Sequence, residues 1–101
     1  MIEQNYTVRE NRNRARIWLE GKRLEGAGFE AGSIFEIERL TKNKLRLSLI
    51  PLGAEDIALR KVSGKPGRPI IDLTGATIAP FETGDDVTIE YAKNQITIKR
   101  V

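Results

Sequence analysis

Cysteine and histidine are both missing from the 101 residues of this chain, and only 6% of the residues are aromatic. Without cysteine the chain can form no disulfide and no thiolate metal site. The chain therefore lacks histidine as the commonest general base and cysteine as the strongest nucleophile. No apolar run approaches the ~20 residues needed to cross a bilayer, and the first residues contain no apolar signal segment. We expect a cytoplasmic protein with no membrane segment, no cofactor, no metal and no catalytic residues.

Two stretches of the sequence are close copies of each other. Residues 29–38 read FEAGSIFEIE, and residues 81–90 read FETGDDVTIE. The match extends in both directions, with aligned pairs such as Ile17 and Ile71, Leu19 and Leu73, Lys42-Asn43 and Lys93-Asn94, and Val8-Arg9 and Leu59-Arg60. Each half would be marginally stable alone, because a chain of about 50 residues buries too little surface. We therefore predict a single domain of two interlocked repeats, residues 5–51 and 56–101, sharing one core.

The local pattern within each half predicts short strands. Ile17 and Leu19 alternate with polar neighbours, which is typical of a half-buried strand, and Trp18 points to the opposite side. Glycines limit the next segment to a single helical turn. The polar run 10–14 and the Gly- and Pro-rich run 62–69 are predicted to be loops. The fold class is therefore all-β with single helical turns, and the predicted core includes Phe29, Phe35, Phe81 and Tyr91.

The charges are segregated along the chain, although the net charge is only +3. Basic residues crowd the start of each repeat, and acids collect later in each repeat. A basic face on a nearly balanced protein is typical of a polyanion-binding site. The candidate nucleic-acid-binding residues are Arg9, Arg12, Arg14, Arg16, Lys22, Arg23, Arg60, Lys61, Lys65 and Arg68. The alternative is that these side chains are merely solvated. Trp18 either contributes to an interface with another protein or covers an open end of the fold, which would be the end of a barrel if the two repeats close into one.

The order of strand, helical turn, glycine-led strand, hairpin and strand resembles the AbrB/MazE swapped-hairpin domain. The spacing of Leu24, Phe29, Gly32, Phe35 and Ile37 carries this resemblance, and IWLEGKRLEGAGFEAG at residues 17–32 is most similar to the SymE-type toxins. The resemblance implies a barrel built from two interlocked units, which in this chain would form a monomeric pseudo-dimer. It also implies binding to nucleic acid, since AbrB/MazE-like domains bind DNA through basic residues on one face and SymE-type proteins act on RNA. We favour DNA over RNA.

Three functions remain open from the sequence. We predict a small DNA-binding transcriptional regulator. One alternative is a protein-directed inhibitor or adaptor from a phage or mobile element, which would dock on a protein target through Trp18 and an acidic edge of Glu30, Glu36, Asp85 and Asp86. The other is a SymE-like RNA-acting toxin, which would have ribonuclease activity.

Overall fold

The computed structural model describes residues 2–50 and 59–101, which form mainly β-strands. The first half contains β1 (Ile2–Thr7), β2 (Arg9–Asn11), β3 (Arg14–Glu20), α1 (Lys22–Gly26), β4 (Ile34–Thr41) and β5 (Lys44–Leu49). The second half contains β6 (Arg60–Lys61), β7 (Ser63–Lys65), β8 (Arg68–Thr74), a 3-10 helix (Gly75–Ile78), β9 (Asp86–Ala92) and β10 (Gln95–Arg100). Within the described ranges, no helix is long and apolar enough to span a membrane.

The strands form two antiparallel sheets. One sheet has six strands in the order β1-β9-β10-β5-β4-β6, and the other has four strands in the order β2-β3-β8-β7. Strands from the first and second halves meet at the centre of each sheet, where β5 pairs with β10 and β3 pairs with β8. Among the described strands neither sheet closes on itself. The mainly β class is confirmed, and the closed barrel stays a prediction.

The core lies between the two sheets and draws on both halves of the chain. Alternate residues of β3 and β8 are buried, with Ile17 at 0% and Leu73 at 1% exposure. The same alternation in the six-stranded sheet buries Leu45, Leu47, Val87, Ile89, Ile96 and Ile98. The four predicted aromatic core residues, Phe29, Phe35, Phe81 and Tyr91, are all buried. Since side chains of a strand alternate between faces, the charged residues between these positions point outward.

Helix α1 is short because glycines stop it on both sides. Gly21 has a φ of 86° at the end of β3, and Gly28 has a φ of 93° after the helix. Left-handed backbone of this kind favours glycine, which has no Cβ to clash. Leu24 is fully buried, and its carbonyl accepts a hydrogen bond from the Phe29 N–H at 2.9 Å. Lys22 and Arg23, in contrast, are exposed.

The chain crosses from one sheet to the other at two buried valines. Val8 joins β1 to β2, and Val62 joins β6 to β7. The Val8 N–H donates to the Asp85 carbonyl, and the Val62 N–H donates to the Ser33 carbonyl, both at 2.8 Å. Val62 therefore occupies the place equivalent to Val8, so the alignment of Val8-Arg9 with Leu59-Arg60 is wrong by three residues. The buried crossing point sets the register, whereas the sequence match at this point was short.

Two runs predicted to be loops belong instead to hairpins. Asn11 pairs with Arg14 across a two-residue turn, in which Arg12 and Asn13 have φ values of 53° and 65°. Positive φ at both central residues is the turn geometry that matches strand twist. Pro66-Gly67 makes the corresponding turn between β7 and β8. The polar side chains of residues 10–14 and the glycines and prolines of residues 62–69 made these segments look like loops. The predicted repeat ends at 51 and 56 and the connector 52–56 lie outside the described residues.

Candidate nucleic-acid interface

The outer face of the four-stranded sheet is built by strand alternation and pairing register. In β3 and β8 the odd-numbered positions Ile17, Leu19, Ile71 and Leu73 are buried, so the even-numbered positions point outward. The pairings Arg9 with Arg16 and Ser63 with Ile70 extend this face over β2 and β7. The outward residues are Arg9, Asn11, Arg14, Arg16, Trp18, Glu20, Ser63, Lys65, Arg68, Ile70, Asp72 and Thr74. We call this surface the basic face, since it carries more cationic than acidic residues.

The structure brings five of the ten predicted basic residues together on the basic face: Arg9, Arg14, Arg16, Lys65 and Arg68. Arg12 lies beside them in the turn between β2 and β3. Lys22 and Arg23 lie on α1, directly after β3. Arg60 and Lys61 lie on β6, at the edge of the six-stranded sheet, where Arg60 donates a 3.0 Å hydrogen bond to the Thr77 hydroxyl. These last two are separated from the basic face.

Two corners of the basic face carry most of its charge. Arg14 lies at the β2–β3 hairpin, and Arg68 lies at the β7–β8 hairpin in the diagonally opposite corner. The register of β3 against β8 separates their positions by about 26 Å along the strands, at ~3.3 Å per residue. Both side chains are exposed. Two separated cationic corners are suited to two phosphates on a polyanion and less suited to one small anion.

The centre of the basic face holds a three-residue cluster. Arg16 donates from Nε and Nη2 to the two carboxylate oxygens of Asp72, at 2.9 and 3.0 Å. Its guanidinium also stacks over the Trp18 ring, 4.5 Å from the ring centroid. The hydrogen bonds to Asp72 are the main reason that the pKa of Arg16 is raised above its ordinary value. Arg16 is therefore charged, but its charge is already paired with an acid.

The outer face of the six-stranded sheet has the opposite balance. Its acids are Glu3, Glu36, Glu38, Asp86 and Glu90, against the cations Lys44, Arg46, Lys61 and Lys99. Glu38 pairs with Arg46 at 2.8 Å and Glu90 with Lys99 at 3.6 Å. Asp85 pairs with Arg100 at 2.9 Å. Trp18 lies on the other sheet, so it does not form one continuous surface with the acidic residues Glu36 and Asp86.

Tyr6 is a site residue that the sequence analysis missed. Its hydroxyl oxygen accepts a 2.9 Å hydrogen bond from the Trp18 N–H, just beyond the last pair between β2 and β3. Arg9 lies over the Tyr6 ring, 5.7 Å from its centroid. Nearby, the Tyr91 hydroxyl donates to Gln4 Oε1 at 2.7 Å, and burial raises the pKa of Tyr91 to about 12. The only sequence signal for Tyr6 was its position in a β-prone segment.

The chemistry available on the basic face is electrostatic binding. Within residues 2–50 and 59–101, no three Asp or Glu side chains come together as a group that could hold a metal ion. What the face offers is guanidinium and ammonium donors, an aromatic ring and backbone held rigidly by the sheet. A scan of protein-family models, a search of curated proteins and a search of solved structures each found no match to this chain.

Proposed function

We propose that this protein binds duplex DNA through the basic face and acts as a small transcriptional regulator. The observation that carries the proposal is the convergence of five cationic side chains from four separate strands on one surface. Among the described residues, its acids are Glu20 and Asp72. The outer face of the six-stranded sheet has more acids than the basic face, so the charge is distributed asymmetrically between the two sides of the molecule. Such a field orients a protein toward a polyanion and accelerates the encounter.

We also propose that the fold is an internally duplicated swapped-hairpin barrel. The order of each sheet is unchanged when β1, β2, β3, β4 and β5 are exchanged for β6, β7, β8, β9 and β10 respectively. The equivalent hydrogen bonds of Val8 and Val62 support the same relation. In this arrangement the chain supplies both units of the barrel, so a second copy is not needed to complete the core. The protein would then act as a monomer.

The two-fold arrangement supports duplex DNA as the partner. Arg14 and Arg68 occupy equivalent places in the two halves, and the two backbones of a duplex are related by local two-fold axes. Each arginine would therefore contact a phosphate of a different strand. The grooves of B-form DNA admit a β-ribbon, whereas the deep, narrow major groove of A-form RNA excludes side chains. A protein that occupies DNA in this way regulates by excluding other proteins from the site.

Salt-dependent duplex binding tests this proposal. The double variant Arg14→Ala/Arg68→Ala should bind DNA of any sequence more weakly, because phosphate contacts are independent of sequence. Each lost contact reduces the slope of log affinity against log salt by about 0.9, so the double variant should lose about 1.8. The variants are compared by fluorescence anisotropy between ~50 and ~200 mM salt.

The matched control removes two exposed cations from outside the basic face. Arg39 lies on β4 and Lys42 lies in the turn after it, so Arg39→Ala/Lys42→Ala changes the net charge equally. The control should keep the wild-type slope. Equal losses in the two double variants would show that only net charge matters, and the basic face would then not be the DNA-binding surface.

A further inference from the structure

A polar cleft lies beside the basic face, between β1 and the edge of β3. It has a volume of about 450 Å³, within the range of ~300–1,000 Å³ found for ligand pockets. The cleft exists because β2 begins only at Arg9, opposite Arg16, while β3 continues to Glu20 without a partner from β2. Its lining includes Gln4, Tyr6, Arg9, Trp18, Glu20 and Arg23. The Tyr6 hydroxyl bridges the cleft to the Trp18 N–H.

The cleft combines cations with aromatic rings. Arg9 and Arg23 are exposed, and neither forms an ion pair with an acid in the described part of the chain. Guanidinium groups of this kind bind phosphate through paired N–H donors. Tyr6 and Trp18 supply aromatic rings for a base. Arg9 lies over the Tyr6 ring and Arg16 over the Trp18 ring, so a base would share each ring with a guanidinium. Glu20 adds an acceptor for an exocyclic amine, the contact by which carboxylates read cytosine.

The cleft offers a partner for each part of a nucleotide. Its arginines can donate hydrogen bonds to a phosphate, its aromatic rings can contact a base, and Glu20 can accept a hydrogen bond from the edge of the base. We propose that this cleft binds one unpaired nucleotide, with its phosphate between Arg9 and Arg23 and its base against Tyr6 and Trp18. A paired base cannot enter, because its faces are stacked and its edge is occupied. This inference rests on the proposed nucleic-acid function and adds a preference for single-stranded or locally opened sites.

The sequence of the second half differs from the first at two residues that line this cleft. In the aligned sequence of the second half, Thr77 stands where Arg23 stands and Asp72 stands where Trp18 stands. A phosphate would therefore lose a cation there, and a base would meet a carboxylate in place of a ring. The unpaired nucleotide is expected at one end of the bound DNA, which gives the complex a single orientation.

Trp18 is the only tryptophan of the chain, so its emission reports directly on the cleft. The probes are a cytidine DNA oligonucleotide of about 12 nucleotides, within the ~4–16 nucleotide sites of small single-strand binders, and a blunt duplex of similar length. The single strand should quench Trp18 saturably. Arg23→Ala should weaken single-strand binding about five- to tenfold and duplex binding by less than about twofold. Arg39→Ala, on β4, is the charge-matched control and should change neither.

Further outcomes separate the inference from the proposed function. Quenching by free deoxycytidine monophosphate would assign the cleft to a nucleotide ligand, and quenching by the strand alone would assign it to single-stranded nucleic acid. Unchanged Trp18 emission would overturn nucleotide binding in the cleft, and so would equal effects of Arg23→Ala and Arg39→Ala on single-strand affinity. Neither result would contradict duplex binding by the basic face. Single-strand quenching with duplex binding insensitive to Arg14→Ala/Arg68→Ala would overturn the basic face and keep the cleft. Failure of both probes to bind at ~50 mM salt would overturn both.

Discussion

Removing the charge of Asp72 should strengthen DNA binding. Asp72 is one of two acids on the basic face, and it holds Arg16 through two hydrogen bonds of 2.9 and 3.0 Å. A phosphate approaching the centre of the face therefore meets a carboxylate and an arginine that is already paired. Asp72→Asn removes the repulsion and weakens the hold on Arg16, because an amide offers one acceptor oxygen instead of two and carries no opposite charge.

The size of the effect follows from the number of phosphate contacts. If Arg16 is freed to make one additional contact, the slope of log affinity against log salt steepens by about 0.9. At ~0.1 M salt one such contact corresponds to about a five- to tenfold gain in affinity. Asp72→Ala also removes the remaining acceptor for Arg16, so its gain should be at least as large. Both variants are titrated with duplex DNA by fluorescence anisotropy, after thermal unfolding has shown that they fold.

Glu38→Gln supplies the matched control for this prediction. Glu38 pairs with Arg46 at 2.8 Å on the outer face of the six-stranded sheet, so the substitution makes the same change in charge and also frees an arginine. Packed sheets are ~10 Å apart, and the Debye length at 0.1 M salt is ~10 Å, so the effect on the basic face should stay within about twofold. An unchanged or reduced affinity of Asp72→Asn, or an equal gain in Glu38→Gln, would refute the reasoning.

Two further predictions concern stability. Gly64→Ala should destabilise the protein by about 3 kcal/mol, because Gly64 has a φ of 97° and a Cβ there would collide with the Arg68 carbonyl oxygen. Gly67→Ala should destabilise it by only about 1 kcal/mol, because Gly67 has a φ of 82° but lies in open space. Urea unfolding measures both variants, and similar unfolding midpoints would contradict this difference. Raising the pH from about 10 to about 12 should lower the free energy of unfolding by about 1–2 kcal/mol. Tyr91 has a pKa near 10 in the unfolded chain, and burial in the folded protein raises this pKa to about 12. Tyr91→Phe should lose this pH dependence, and an unchanged alkaline profile in that variant would assign the loss to other groups.

The local features of the fold were predictable because each depends on neighbouring residues in the sequence. The alternation around Ile17 and Leu19 predicted both a half-buried strand and the outward direction of Trp18, and the burial of β3 confirms it. The glycines after Leu24 predicted a single helical turn, and α1 has five residues. Phe29 and Phe35 were predicted to be core from their apolar positions in the aligned halves, and both rings are buried and pack edge to face with centroids 6.0 Å apart.

The missed features depend on contacts between distant parts of the chain. Residues 10–14 were predicted to be a loop because they are polar throughout, but a sheet with one solvated face accommodates polar side chains at alternate positions. The Tyr6 hydroxyl accepts a hydrogen bond from the Trp18 N–H, which has no partner on β2 because β2 does not extend that far. Nothing in the sequence near Tyr6 indicates this contact. The charge pairing of Arg16 with Asp72 was also not predicted, because it depends on the register between β3 and β8.

The pairing of Trp18 with Asp72 gives the proposed duplication a functional consequence. In the proposed alignment these residues stand at equivalent positions of the two repeats, and in the structure they face each other directly across β3 and β8. In two identical halves this position would meet its own copy, and two carboxylates placed directly opposite would repel each other. Because one chain carries both halves, the position holds a ring on one side and an acid on the other. Arg16 can therefore stack on Trp18 and pair with Asp72 at the same time. The centre of the basic face is asymmetric for this reason, although the cationic corners at Arg14 and Arg68 remain equivalent. The proposed DNA site therefore need not be palindromic.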